Sequence, residues 1–167
     1  MSDQKHSLHR LSEPRFYIVL IWPDIPQNTG NIARLAYATG CSLVLVRPFG
    51  FRLTDKSLER AGMDYWKKLS PIILDDLDDF FSWISNKKCY FFSAHSNNLY
   101  TEVNFKLGDV MVFGSESSGL PPEVIEYAKN SNLDLTLPMI KEARCINLSS
   151  AAAVAVYEGV RQLSLSF

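Results

Sequence analysis

Residues 16–40 read FYIVLIWPDIPQNTGNIARLAYATG, and this stretch decides the fold class. Phe16 to Trp22 is a continuous apolar run rich in β-forming residues, the pattern of a strand buried on both faces. Two prolines and a glycine make Pro23 to Gly30 a loop. Asn31 to Thr39 follows as a short helix, with Gly40 placed to end it. Ser42 to Arg47 (SLVLVR) then returns as a second strand.

Outward from this unit the alternation continues. Pro48-Phe49-Gly50-Phe51 is a loop, and Thr54 to Ala61 is expected to be a helix capped by Thr54. Leu69 to Leu74 is a short third strand in spite of Pro71. Asp75, Asp76, Asp78 and Asp79 precede an amphipathic stretch through Trp83 and Ile84, where acidic groups suit a helix start; they read as capping and not as a metal site. Lys88 to Ala94 and Asp109 to Phe113 are strands, Pro121 to Asn130 a helix opened by proline, Leu133 to Leu137 a last strand, and Leu148 to Leu163 an alanine-rich helix. The expected class is therefore α/β, a mostly parallel sheet with helices on both faces. Ligands of such sheets sit on the loops past the strand C-termini. Residues 1–14 are expected to be a flexible tail and 15–167 a single domain.

The composition narrows the function. At 167 residues and 47% hydrophobic, the chain can bury a core. It has no apolar run of the roughly 20 residues a membrane helix needs, and its polar start does not resemble a signal peptide, so a cytoplasmic protein with no membrane partner is expected. Cys41, Cys89 and Cys145 are far apart, with no zinc spacing, and no metal is expected. Basic and acidic residues nearly cancel, at 17 and 18, which argues against a strongly basic nucleic-acid binder. Residues 34–68 nevertheless hold Arg34, Arg47, Arg52, Lys56, Arg60, Lys67 and Lys68 against Asp55, Glu59 and Asp64. That excess suits either a phosphate-binding face or a solvated helix surface.

Three loops each follow a strand and mix glycine with polar residues. The first, Asn28-Thr29-Gly30-Asn31, leads to Arg34, one helical turn past Gly30, which either points back over the loop to grip a phosphate bidentately or, as spacing alone favours, stands on the solvent face of a helix. The second, Phe113-Gly114-Ser115-Glu116-Ser117-Ser118-Gly119-Leu120-Pro121, leaves a strand and enters a helix. Its glycines allow close backbone approach to a ligand. Leu120-Pro121 replaces the Lys-Ser/Thr of a Walker motif, and no G-x-G-x-x-G is present. The third runs from Leu137 through Pro138, Met139 and Cys145 to Asn147 and Ser149, either of which can cap the alanine-rich helix. Ala151, Ala152, Ala153 and Ala155 permit close packing of another backbone.

Together NTGNIAR, FGSESSGLP and LPM-x₇-NLS resemble the three signature motifs of the SPOUT superfamily of knotted RNA methyltransferases, in its SpoU-like ribose 2′-O branch. The resemblance runs from Phe16 to about Gln162. The compact length and the stretch from Arg47 to Arg52, followed by Asp64-Tyr65, look most like the subgroup acting on wobble cytidine or uridine 34 of tRNA.

The resemblance implies a C-terminal trefoil knot around Phe92–Ser93, Gly114–Gly119 and Leu137–Ser149, a rare exception among folds. It implies S-adenosylmethionine as cofactor, contacted by Phe92, Ser93, Gly114, Leu137, Met139 and Cys145. The family often carries serine where Cys145 stands, and a thiol is a poor donor, so a backbone contact is expected there. Arg34 would be the catalytic group, with Asn28, Glu116, Asn147 and Ser149 shaping the site. A homodimer is implied, with one subunit's Arg34 near the partner's cofactor, and the anticodon loop of tRNA is the implied substrate. Phe49 and Phe51 would either stack on an anticodon base or anchor their loop. His95 and Tyr157 receive no role. Two other readings stay open: 2′-O-methylation of rRNA or another tRNA position, and a non-catalytic RNA-binding α/β module. A receiver-type signalling domain fails because the first strand ends in Trp22-Pro23 and not in an acidic pair.

Overall fold

A computed structural model describes residues 11–53 and 65–163. In chain order the elements are β1 (Phe16–Ile21), α1 (Pro26–Thr39), β2 (Ser42–Val46), α2 (Trp66–Leu69), β3 (Ile72–Leu74), α3 (Leu77–Ile84), β4 (Cys89–Phe92), a 3₁₀ turn (Tyr100–Glu102), β5 (Asp109–Phe113), α4 (Pro122–Asn130), β6 (Asp134–Leu135) and α5 (Leu148–Gln162). The six strands form one sheet in the order β3-β2-β1-β5-β4-β6, and every neighbouring pair is parallel.

The unbroken apolar run of β1 has a direct cause. Alternate residues of a strand point to opposite faces, and both faces are covered. Phe16, Ile18 and Leu20 join Leu43, Leu45 and Met111 against Ile32, Ala33 and Ala36 of α1 and Ala152, Ala155 and Val156 of α5. Val19 and Ile21 join Val44, Val46, Val110 and Val112 against Phe80 and Ile84 of α3 and Val124 and Ala128 of α4. The small residues of α5 let it lie close to the sheet: a Cβ at Gly159 would stand 2.6 Å from Cζ of Phe16.

Several boundaries differ from those expected. Helix α1 begins at Pro26 and not at Asn31, so Asn28, Thr29 and Gly30 lie inside its first turns and not in a loop. Proline suits that first position because its φ is preset and its missing N–H would have no helical partner. Gly40 ends α1 as expected, at φ +69°, its N–H directed to the carbonyls of Ala36 and Tyr37. The stretch expected to open a strand at Leu69 instead closes α2. Ser70 turns left-handed (φ 46°) ahead of Pro71, leaving Ile72–Leu74 as strand. Asp76 caps α3, its carboxylate accepting the Asp79 N–H at 2.9 Å. The last strand is short because Thr136 pairs with the segment after β4, its N–H reaching Asn98 O at 2.8 Å. The helix expected over residues 54–61 lies outside the described residues, as do residues 1–10 of the expected tail.

This topology dictates where a ligand belongs. From β1 the chain turns onto one face as α1, and from the adjacent β5 it turns onto the other as α4. The two exits diverge and leave a crevice at the carboxyl ends of β1 and β5, the switch point at which parallel sheets take their ligands.

Candidate functional site

Glu116, in the loop leaving β5, reaches the start of α1, which has no side-chain cap of its own. Its carboxylate accepts the N–H of Asp24 at 2.8 Å and of Ile25 at 3.3 Å, and the Asn28 side-chain amide at 2.9 Å. An anion at a helix N-terminus meets the positive end of the macrodipole, and this one also holds the two residues that lead into α1 at Pro26. Asp24 answers in the other direction, accepting the backbone N–H of Ser117 at 3.2 Å and the Ser117 hydroxyl.

The network continues into the third motif. Asn28 Oδ1 accepts from Asn147 Nδ2 at 3.1 Å, and Asn147 Oδ1 accepts the Ser149 N–H at 2.9 Å and the Ser149 hydroxyl at 2.7 Å. Glu116, Asn28, Asn147 and Ser149 thus form one hydrogen-bonded chain that ties the first turns of α1 to the second- and third-motif loops. Asn28 is 5% exposed. A buried amide that loses one partner leaves an unpaired polar group costing about 1–3 kcal/mol.

Beside this chain opens a cavity of about 700 Å³, within the range of small-molecule sites. Phe92, Ser93, Gly114, Leu137, Met139 and Cys145 all line it, as do Asn28, Glu116 and Asn147. Stacked rings of Phe92 and Phe113, 4.7 Å apart, lie along it. The second-motif loop is held closed by paired backbone bonds between Ser115 and Gly119, both 3.0 Å, and Gly119 takes a left-handed φ of +69°. The opposite wall is of another kind. From residue 137 to 146 one backbone–backbone bond forms among the described residues, Ala143 N–H to Ile140 O at 3.0 Å. That wall therefore keeps most of its main-chain donors and acceptors available to a ligand.

Arg34 is absent from the cavity lining. It lies on the exposed face of α1, its guanidinium carbon 6.0 Å from the ring centre of Tyr65. The expectation that it points back over a Gly30 loop is thereby corrected, since Gly30 is itself helical. Ser149 is half-buried beside the cavity and reaches it through Asn147. Phe49 and Phe51 stack on each other at 5.8 Å, and Phe49 packs against the core, an arrangement that suits anchoring of their loop. Gly50 N–H bonds Pro23 O at 2.9 Å and fastens that loop beside the first motif. Of the local basic excess, Arg47 pairs with Asp75 at 3.2 Å.

Sequence reasoning missed Asp24, Tyr65, and the cavity-lining His95 and Arg144. Asp24 carried a usable signal, an acidic residue just ahead of a helix-opening proline. Among the described residues no three His, Cys, Asp or Glu side chains group as metal ligands. No helix among them is long and apolar enough to cross a membrane. Burial pushes the Cys41 thiol up to about 11 and the Cys89 thiol up to about 12, whereas Cys145 is exposed on the cavity wall.

Comparison with known proteins places this arrangement. The sequence model of the SpoU rRNA Methylase family matches residues 15–157. A protein of Saccharophagus degradans named tRNA (cytidine(34)-2′-O)-methyltransferase is 43% identical over 90% of this chain and 97% of its own length. A solved protein described in connection with the 2-OH methylation of C/U34 on tRNA superposes with a TM-score of 0.81 at 40% identity, covering 89% of this chain and 96% of that one. The SpoU methyltransferase AviRb of Streptomyces viridochromogenes, solved with AdoMet, shares the fold at a TM-score of 0.77 and 20% identity, covering 92% of this chain and 59% of that one. With the parallel sheet, the switch-point cavity and the three linked motifs, the chain belongs to the SpoU methylase family of S-adenosylmethionine-dependent methyltransferases.

Proposed function

We propose that this protein methylates the ribose 2′-hydroxyl of the wobble nucleotide, cytidine or uridine 34, of tRNA, working in the cytoplasm as a homodimer. The observation that carries the reading is the cavity at the β1/β5 switch point, walled by all six residues to which the motifs assign cofactor contact. Relatives at about 40% identity, named for methylation at position 34, support the choice of substrate. When bound, S-adenosylmethionine supplies an activated methyl group on a sulfonium.

The residues present fit that group. Leu137, Met139 and Ile146, which line the cavity and are not buried, offer apolar surface to an adenine, and the unspent main-chain groups of residues 137–146 offer hydrogen bonds to its edge. Cys145 contributes its backbone, in keeping with the poor donor strength of a thiol. The hydrogen-bonded chain from Glu116 to Ser149 fixes the start of α1 and the two motif loops relative to one another, so the acceptor ribose meets a site organised in advance. Arg34 holds the neighbouring phosphate and stabilises the charge that grows on the 2′-oxygen as its proton passes to solvent water and the methyl group moves from the sulfonium, which becomes the thioether of S-adenosylhomocysteine. A guanidinium stays protonated and therefore acts as a cation and not as a base. The reading includes the trefoil crossing of Leu137–Ser149 past the Phe92–Ser93 and Gly114–Gly119 segments, which is supported by their walling one cavity.

The test is methyl transfer from labelled S-adenosylmethionine to an anticodon stem-loop. Label enters the ribose version and not a version that is 2′-deoxy at position 34. Equal labelling of both would place the acceptor elsewhere. A second expected outcome concerns Cys145. Its thiol is exposed while those of Cys41 and Cys89 are buried and held protonated, so iodoacetamide at neutral pH alkylates Cys145 first. Saturating S-adenosylhomocysteine slows that reaction at least about fivefold if the cavity is the cofactor site. An unchanged rate, read by peptide mass spectrometry, would separate Cys145 from the cofactor.

A further inference from the structure

On the exposed face of α1, away from the cavity, four side chains stack in a row of which the motif reading uses only Arg34. The guanidinium carbon of Arg34 stands 6.0 Å from the centre of the Tyr65 ring. Tyr65 stacks on Tyr37, with centroids 4.7 Å apart and planes inclined by 26°. Lys68 Nζ in turn stands 6.0 Å from the Tyr37 ring centre. Arg34 and Tyr37 are three residues apart on one helix, hence neighbours on the same face. Tyr65, the residue that leads into α2, is seated on both of them.

We infer that Tyr65 is a positioning residue for Arg34, its ring holding the guanidinium in the orientation in which it meets the substrate phosphate and the 2′-oxygen. This rests on the methyltransferase reading above. An arginine on a helix surface has many rotamers, and ordering it at the moment of reaction carries an entropic cost. A planar, weakly hydrated guanidinium lies well over an aromatic face. The Tyr37 ring behind Tyr65 keeps that face in place, and Tyr37 is fixed to the same helix as Arg34, so cation and platform share one rigid frame. The attraction needs the ring face and not the phenolic hydroxyl. Phenylalanine therefore preserves it and leucine does not.

Steady-state kinetics on tRNA with the full-length protein separate this role from mere support of α2. Tyr65→Leu lowers kcat about tenfold while KM for S-adenosylmethionine stays within about twofold, because geometry at the reacting centre is lost and not cofactor binding. Tyr65→Phe keeps kcat within about twofold of wild type. In an Arg34→Lys background, where no planar guanidinium remains to be held, Tyr65→Leu lowers kcat by no more than about twofold further, the non-additivity of a coupled pair. An unchanged kcat for Tyr65→Leu, an equal loss for Tyr65→Phe, or full additivity with Arg34→Lys overturns the inference while leaving the methyltransferase reading intact. A wild-type protein that transfers no methyl group overturns that reading and this inference with it.

Discussion

Arg34→Ala lowers kcat for methyl transfer by about 10³-fold and leaves the affinity for S-adenosylhomocysteine within about twofold of wild type. The split follows from where the residue stands. Arg34 lies on the exposed face of α1 and does not line the cavity, so its removal strips nothing from the cofactor wall. The residues of α1 that face the core, Ile32, Ala33 and Ala36, are untouched, and the fold should keep its thermal stability to within a few degrees. What disappears is the one cation that the first motif offers to the substrate. A preorganised donor aimed at developing oxygen charge typically contributes about 3–4 kcal/mol, the size of the expected loss. Titration calorimetry together with single-turnover kinetics measures both halves. Equal loss of binding and turnover would mean that Arg34 supports the cofactor site instead.

Gly114→Ala acts from the opposite side. Gly114 is buried at the head of the second-motif loop, and a Cβ there would fall inside the van der Waals envelope of the Gly119 carbonyl and the Leu120 nitrogen. Those atoms are backbone and cannot swing aside as a side chain would. The loop must shift, and with it the paired Ser115–Gly119 bonds and the Glu116 contacts that hold Asp24, Ile25 and Asn28. Overpacking of this kind costs about 1–3 kcal/mol. The expected result is a cofactor Kd raised at least tenfold and a lowered melting temperature, with the far-ultraviolet spectrum of the sheet and helices retained. Wild-type affinity in this variant would show that the loop adapts and that the cavity is not framed by Gly114.

The two variants also test the shared site. If the Arg34 of one subunit serves the cofactor cavity of its partner, a mixed dimer of Arg34→Ala and Gly114→Ala carries one site with both parts intact. At a cofactor concentration too low to load the Gly114→Ala site, random exchange then restores about a quarter of wild-type activity from two proteins that show almost none alone. No recovery, with exchange verified by mass, would place Arg34 in the site of its own subunit.

Much of this fold could be read from the sequence because its strands are buried on both faces. Phe16–Ile21, Ser42–Val46 and Asp109–Phe113 are apolar nearly throughout, and such runs have few alternatives to a central parallel strand. The start of α1 was not legible, because the carboxylate that holds the two residues leading into it, on Glu116, is about ninety residues away. The edge strands contracted for a related reason: Ser70 and Thr136 take partners or conformations that local preference does not encode. In the site, the motif residues were legible as a set, but their connection was not. Nothing in the spacing of Asn28, Glu116 and Asn147 announces that one asparagine links the other two. Of the two places open to Arg34 in the sequence, the structure gives the solvent face of a helix; the other required a loop at Gly30, which is itself helix. Tyr65 entered only through the subgroup resemblance of Asp64-Tyr65, and nothing in the spacing placed its ring beside Arg34.

The central claim is that the switch-point cavity and Arg34 together methylate the wobble ribose of tRNA. The most direct measurement is nucleoside mass spectrometry, with mapping to single positions, on tRNA lacking wobble ribose methylation after incubation with S-adenosylmethionine and either wild-type or Arg34→Ala protein. The account predicts a 2′-O-methylated cytidine or uridine at position 34 with the wild type and none above background with the variant. Cofactor binding accompanied by methylation at any other position, or by none in tRNA, would contradict it.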